Sequence, residues 1–586
     1  MSAASDHGGG SLPARRVVAY LCARPWRALA AVFLLSFVGA AAVSLTAGVP
    51  LPRVHDEFSY LLAADTYARG TFANPPHPHW RHFEAPHVIH QPSYASKYPP
   101  AQGLFLALGQ VAFGHAVAGV WLTAALMSSA VIWMLQAWLP ARWALFGGLL
   151  TALQFAVAGA WAQSYWGGAV AATGGALLFG ALGRVWRASA RPASTAAPEE
   201  PPAVSPPPAV SPPLAVSPPP DLGGWFPAPW VSSAAALATG SVLLALSRPF
   251  EGAVIFVVVL ASLLASRSRA NRIGVRVALT GVVGAAAVAG GVMAFHNQAV
   301  TGDPLTLPYQ HHTRQYGAAP LFVFQPLPDA PDYSNPRLAR FHLEWERYHY
   351  EKQRTISGWL YHAAARPLTA ARDLVFGPPR NLVEGARRGA WIPGVLALPL
   401  LLAPWLLRRR KARYAFLVVC VLFAALTTTT YFVPHYVAVL TALWMYLVVE
   451  SVRLCRAAAP SRTVRAAVVP VAVALSVVLA CQSVLDQAAR WGNPASMDGL
   501  KERIEEQFDA LGGRHLVIVL YGQDITYHRE LVYNGADIDG QKVVWAHALS
   551  VEADTELLEY YAGRSAWTLH LTGEEAELRP IERGDS

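Results

Sequence analysis

The sequence predicts an all-α polytopic membrane protein of about eleven transmembrane helices, with a small C-terminal α/β extramembrane domain. Three observations predict it. Hydrophobic residues make up 54% of the 586 positions and charged residues only 14%, whereas a soluble chain carries roughly 25% charged residues. Apolar stretches long enough, or nearly so, to cross about 30 Å of hydrocarbon recur near residues 27–47, 115–137, 142–160, 166–184, 230–246, 251–266, 274–295, 391–407, 414–432, 434–452 and 466–484. Basic clusters alternate with those stretches, as positive-inside topology requires. With the N-terminus inside, the inside segments carry Arg15/Arg16, Arg142, Arg184/Arg187/Arg191, Arg267/Arg269/Arg272/Arg276, Arg408/Arg409/Arg410/Lys411/Arg413 and Arg453/Arg456/Arg462/Arg465. The same count places 49–98, about 297–390 and 485–586 outside, where both charge signs mix with many aromatics.

The chain then divides into a cytoplasmic N-terminus (1–25), a first part of the membrane core (26–190) with outer loop 49–98, a linker (191–222), a second part of the core (223–485) with outer loop 297–390, and the C-terminal domain (486–586). The linker repeats Ala-Val-Ser-Pro-Pro at Ala203, Ala209 and Ala215; a proline-rich repeat buries little, so it reads as a disordered or polyproline II spacer. The apolar run from about Trp26 to Gly48 is too long for a signal-peptide core and reads as a retained first helix. The formal charge of +9 is spread over inter-span clusters instead of one basic face, which excludes nucleic acid as a partner class. Cys22, Cys420, Cys455 and Cys481 have neither metal-ligand nor disulfide spacing.

In the C-terminal segment, Ser496 to Leu511 has helical apolar spacing. His515 to Tyr521, Lys542 to Trp545 and Trp567 to Leu571 are apolar runs suited to strands, and Glu556 to Tyr561 suits a short helix. The run Asn534 to Asp539 reads as an acidic turn.

The residues able to carry chemistry cluster on the outer side. Outer loop 49–98 opens with His55-Asp56-Glu57-Phe58, and Phe58, Leu61, Leu62 and Ala64 to Tyr67 have the spacing of a surface helix. That puts Asp56 and Glu57 at its N-terminal end, where the helix dipole keeps a carboxylate ionised. Asp56 there serves either as an N-cap or as a base for an attacking hydroxyl. The loop closes on Lys97-Tyr98-Pro99-Pro100, where Lys97 either snorkels to the interface or offers its charge to a phosphate. Arg248 and Glu251 stand between two apolar runs and need a partner: each other, or a phosphate for Arg248. His435, followed by Tyr436, is placed to supply a proton or a hydrogen bond at the same mouth. Among the loop's crowded histidines, His82, His87 and His90 are candidate ligands for a divalent metal, although their spacing fits no standard zinc pattern. Tyr309 to Thr313 and Phe341 to Tyr350 hold the aromatic and polar mixture that sugar recognition and interfacial belts share.

An acidic pair after the first helix, a surface helix, a Tyr-Pro-Pro turn and a many-helix core together resemble the GT-C glycosyltransferases, including the protein O-mannosyltransferases and the aminoarabinose lipid A transferases. The resemblance covers about residues 20–450 by architecture, and only the first outer loop by motif. It implies a polyprenyl-phosphate-linked sugar as donor, membrane lipid around it, and a glycan, lipid or protein acceptor on the periplasmic or exterior face of the inner (plasma) membrane. It further implies hexosyl or pentosyl transfer with inversion, Asp56 as base and Glu57 as the second acid; Lys97, Tyr98, Arg248, Glu251, His435 and Tyr436 are then the substrate-binding candidates. Two other classes compete with this enzyme: a transporter or flippase for a lipid or amphiphile, and a non-catalytic envelope scaffold.

Overall fold

The computed structural model describes residues 13–157, 159, 161–190, 229–265, 269–372, 394–491, 499–573 and 575–582. The proline-rich linker read from the sequence lies outside them.

Helices α1 (Pro13–Ala23) and α2 (Pro25–Ala47) lead to α3 (His55–Ala68), after which outer loop 49–98 forms a two-stranded ribbon of β1 (Val88–Ile89) and β2 (Ala95–Ser96). Then follow α4 (Pro100–Phe113), α5 (Val117–Trp138), α6 (Ala141–Thr151, continued as a π-helix to Val157), α7 (Gly168–Ala190), α8 (Pro229–Ala245), α9 (Pro249–Leu264) and α10 (Arg269–Thr301). The second outer loop carries α11 (Pro308–Tyr316), α12 (Pro336–Arg340), a π-turn at Phe341–Glu346, α13 (Arg347–Lys352) and α14 (Ile356–Ala370). The chain re-enters the bundle through α15 (Leu398–Leu401), α16 (Ala403–Leu406), α17 (Arg410–Leu426), α18 (Thr441–Ala458) and α19 (Arg462–Trp491). Proline begins α2, α4, α9 and α11 at a position where its missing N–H and fixed φ cost nothing.

Among the described residues, six helices are long and apolar enough to cross a membrane: Pro25–Ala47, Val117–Trp138, Gly168–Ala188, Leu279–Thr301, Pro434–Ala458 and Arg462–Leu485. Four shorter apolar helices accompany them among the described residues, so the chain has a multi-pass character, beside an expectation of about eleven spans. The run 391–407 is the clearest departure. Its described part is a 3-10 turn and two four-residue helices, because Pro399 and Pro404 each remove a backbone donor. The helices sort by burial. α5, α7 and α18 are mostly buried and share one apolar core with α9 and α17. α2, α10 and α19 keep most of their apolar surface outward, as lipid-facing helices do.

Charge marks one end of this bundle. Glu450 of α18 is bracketed by Arg409 and Arg453, Arg187 donates to the carbonyls of Gln136 and Leu139, and Lys411 donates to the carbonyl of Trp138. The opposite end carries the outer loops and the C-terminal residues. There α20 (Leu500–Leu511) and α21 (Val551–Tyr560) flank a sheet of β3 (His515–Tyr521), β4 (Val543–His547), β5 (Ser565–Thr572) and β6 (Glu575–Pro580), ordered β4-β3-β5-β6. β3 pairs in parallel with β4 and β5, and β6 is antiparallel to β5. Alternation along the strands buries both faces. Val517, Val519, Val543 and Trp545 pack on Leu500, Ile504 and Phe508 of α20. Leu516, Ile518, Val544 and Ala546 pack on Leu62, Phe83, Val88 and Tyr94 of the first outer loop.

The crossing of α4 and α5 sets the height of the Lys97–Pro100 turn. A Cβ on Gly119 would lie 2.2 Å from the carbonyl oxygen of Phe105, and one on Gly109 only 2.1 Å from the amide nitrogen of Gly119. Backbone cannot yield as a flexible side chain does. Gly119→Val should therefore destabilise the protein by about 3 kcal/mol or more, read as a lower unfolding temperature in detergent. Gly284→Ala, where a Cβ meets nothing within 4 Å, should be neutral or stabilising by about 0.5–1 kcal/mol. Equal effects at the two glycines would contradict the close crossing.

Candidate active site

Between the outer loops and the ends of α4, α8 and α9 lies a cavity of ≈ 400 Å³. Two hydrogen bonds from the start of α4 fix the segment beside it. The free N-terminal amide of Ala101 in α4 donates to the carbonyl of Leu246 just past α8 (2.9 Å), and the side-chain amide of Gln102 donates to the carbonyl of Tyr165 (2.8 Å). The Tyr-Pro-Pro turn is thereby fixed against the Ser247–Glu251 corner.

Asp56 faces this cavity from the first turn of α3. It is not the cap: the N-cap position belongs to Val54, in extended backbone and without a side-chain capping bond. The Asp56 carboxylate accepts a hydrogen bond from the Tyr98 hydroxyl, and its other oxygen lies 3.9 Å from Nε2 of His87. Glu57 departs from the sequence expectation. One residue further along a helix turns a side chain by about 100°, and Glu57 is buried away from the cavity, accepting from the backbone N–H of Arg53 (2.9 Å) and of Tyr165 (3.0 Å). Burial pushes its carboxyl up while those two amides draw it back. It anchors α3 and lines no part of the cavity.

Lys97 is buried in the cavity wall, its Nζ 4.5 Å from the ring centre of Tyr309 and 5.6 Å from that of Tyr98. Among the described residues it has no ion-pair partner within 4 Å. Burial lowers its ammonium to about 8, against the opposing pull of Glu346 and Asp56. Arg248 occupies the N-cap position of α9, its guanidinium 4.8 Å from the ring centre of Tyr436. Glu251 lines the same cavity, yet no ion pair joins it to Arg248 among the described residues, so the mutual pairing weighed from the sequence is absent. His435 lies 4.6 Å from Trp166, and its buried Nδ1 has no hydrogen-bond partner.

The cavity also contains residues that reading the sequence passed over. Glu346, on the π-turn, accepts from Nδ1 of His342 (2.7 Å), and Trp345 stacks on Tyr431 with centroids 5.4 Å apart. The aromatic run Phe341 to Tyr350 was the signal, but nothing local tells which of its residues face inward. The three histidines weighed as metal ligands stand apart. His82 bonds the carbonyls of His547 (2.9 Å) and Ala553 (3.2 Å), and His90 lies against Tyr94 (5.3 Å), while His87 alone reaches the cavity. Among the described residues no group of three or more His, Cys, Asp or Glu side chains is placed to hold a metal ion.

A second, apolar cavity of ≈ 400 Å³ opens between α2, α4, α5, α7 and α8, lined by Leu29, Phe105, Trp133, Leu177 and Leu243 among others. Leu243 is one helical turn from Ser247, whose hydroxyl donates to the Leu243 carbonyl and which lines the polar cavity.

No protein-family model and no curated protein matches the chain. Among solved structures it is similar in fold to membrane glycosyltransferases. One is the oligosaccharyltransferase of Archaeoglobus fulgidus in its apo form, at 12% identity and a TM-score of 0.43, over 83% of this chain and 62% of that one. The chain thus spans about three fifths of that protein's length. Another is ArnT from Cupriavidus metallidurans bound to undecaprenyl phosphate, at 16% identity and a TM-score of 0.40, over 95% of this chain and 93% of that one. Likenesses at this level carry no functional argument, and the function is argued from the cavity.

Lys97 gives the site a pH dependence of definite sign. Its depressed ammonium is charged below about 8 and neutral above, so affinity for inorganic phosphate, a probe of the cavity's cations, should fall as pH rises from 7.5 toward 9.5, by about tenfold if a charge-assisted hydrogen bond is lost. Titration of the purified chain checks this, and Lys97→Met should bind weakly and without that slope. The same shift means that the unfolded state holds the extra proton between about 8 and 10.5, so Lys97 adds stability as pH rises through that window.

Proposed function

We propose that this chain is a membrane glycosyltransferase that moves a sugar from a polyprenyl-phosphate donor to an acceptor hydroxyl on the non-cytoplasmic face. One observation carries the reading: a single cavity holds Asp56, Glu251 and Glu346 together with two buried cations, Lys97 and Arg248, neither of which has an ion-pair partner within 4 Å among the described residues. Buried cations without a direct ion pair are costly to keep, and a phosphate seated between the two supplies a charge in contact with both. Aromatic walls at Tyr309, Trp345, Tyr431 and Tyr436 offer faces to a sugar ring. The apolar groove beginning one turn away at Leu243 suits a prenyl tail.

In this mechanism Lys97 and Arg248 hold the donor phosphate. The acceptor oxygen attacks the anomeric carbon, the bond from that carbon to the phosphate oxygen breaks with its electron pair going to phosphate, and the hydroxyl proton passes to Asp56. Tyr98 donates to one oxygen of Asp56 and orients the other. Attack from the face opposite the phosphate inverts the anomeric centre. The sidedness rests on charge, because the Arg187, Arg409, Lys411 and Arg453 end of the bundle is the basic one and the cavity lies at the other.

Asp56→Asn keeps the shape and removes the charge, so transfer from a polyprenyl-phosphate sugar in membranes should fall on the order of 100-fold or more at matched protein level. Retention of more than about a third of wild-type turnover, as a merely structural side chain would allow, sinks the assignment. Reporter fusions test the sidedness: one at Ser205 should read cytoplasmic and one at Ser586 non-cytoplasmic, and the same side for both contradicts it.

A further inference from the structure

Among the described residues, His87 is the one non-glycine residue in the left-handed backbone region, at φ +68°. That conformation is uncommon outside glycine, and where it persists the surroundings must enforce it. Here the His87 carbonyl accepts from the Ser59 hydroxyl (2.7 Å) and from the backbone N–H of Lys97 (3.2 Å). The forced backbone sets the His87 ring beside Asp56 in the cavity wall, with Nε2 3.9 Å from the carboxylate oxygen. Behind it stands His55, edge-on at 5.9 Å between centroids, and behind that His528 at 5.6 Å, which is exposed. Nδ1 of His87 and Nε2 of His55 are buried and have no hydrogen-bond partner. Other buried histidine nitrogens are unpartnered too, among them those of His90, His296 and His312; what sets His87 and His55 apart is that their rings stand in sequence beside Asp56.

We infer that His87 and His55 relay the acceptor's proton from Asp56 to His528 at the surface, an inference that rests on the glycosyl-transfer reading above. Tyr98 occupies one oxygen of Asp56, and His87, in the same cavity wall, faces the other. The acceptor O–H bond breaks as its oxygen joins the anomeric carbon and phosphate leaves with the electron pair; the proton goes to Asp56, then to Nε2 of His87. His87 releases its Nδ1 proton to Nε2 of His55; His55 passes its Nδ1 proton to the oxygen of the Tyr533 hydroxyl it bonds (2.8 Å), and that hydroxyl gives up its own proton toward His528. A bridging water or a small ring rotation closes each gap beyond hydrogen-bond length.

The charged and titratable groups facing His87 are Asp56, Lys97, His55, His312 and His342, and those facing His55 are Glu530, His528, Arg337 and Lys97. Burial, reinforced by the nearby cations, holds His87 well below its usual value. Burial also lowers His55 to about 3, against the pull of Glu530. Both rings are therefore neutral at physiological pH, and a neutral imidazole can accept at one nitrogen and release from the other.

The test uses His87→Gly and His87→Asn in the full purified chain, because both residues tolerate the left-handed backbone. Single-turnover transfer would be followed with a panel of undecaprenyl-phosphate pentoses and hexoses and membrane-extracted acceptor. Both variants should lose about tenfold or more in rate, keep wild-type affinity for undecaprenyl phosphate, and show an enlarged solvent isotope effect. Added imidazole should restore His87→Gly, which leaves room for the ring, and leave His87→Asn and Asp56→Asn unrestored. Wild-type rates in His87→Gly, a loss that imidazole fails to restore, or restoration by a divalent cation instead of imidazole would each overturn the relay. Failure of the wild-type chain to transfer sugar from any donor would overturn the glycosyl-transfer reading, and the relay with it.

Discussion

Helix α3 is fixed by its own polar side chains, each hydrogen-bonded to a different segment, and the cavity exists because of that anchorage. Glu57 holds the amides of Arg53 and Tyr165, Ser59 holds the His87 carbonyl and meets the Ser96 hydroxyl (2.8 Å), and Asp65 accepts from the amide of Ala536 (2.7 Å). His55 reaches Tyr533 in the C-terminal residues. Hydrogen bonds to ionised groups are worth roughly 1.5–3 kcal/mol each, and buried bonds of this kind permit little drift. A carboxylate that must meet a substrate within hydrogen-bond distance needs that rigidity.

The same anchorage gives the C-terminal residues a structural role. Their sheet is covered on one face by α20 and on the other by the first outer loop, so Leu62, Phe83 and Tyr94 share a core with Leu516, Ile518 and Tyr533. A buried pair, Arg337 with Glu530 (3.3 Å), ties the second outer loop to the same unit. Both loops that wall the cavity are thus braced by the C-terminal residues. No carboxylate or cation of that unit lines the cavity.

The distribution of charge separates the glycosyl-transfer reading from its rivals. A transporter places ionisable groups or broken helices near the midplane. Here Asp56, Lys97, Arg248 and Glu346 gather at the outer ends of helices, and Glu450 with its arginines at the other end. A scaffold has no use for buried cations held out of direct ion pairs, which cost stability in the absence of a ligand.

Local pattern determined much of this architecture. Apolar runs of sufficient length marked the long helices, Asp56 and Glu57 fell in the first turn of α3, and β-branched runs became β3, β4 and β5, because helix and strand periods are written in neighbouring residues. Proline broke the run near 400 where hydropathy alone implied a continuous helix. Which residues share the site was decided by tertiary packing. Adjacent Asp56 and Glu57 face opposite ways, His82, His87 and His90 scatter to three surroundings, and Lys97, Arg248 and Glu346 meet across some 250 positions of chain. Convergence of that kind depends on where distant helices cross, as at Gly109 and Gly119, and no window of neighbouring residues encodes a crossing.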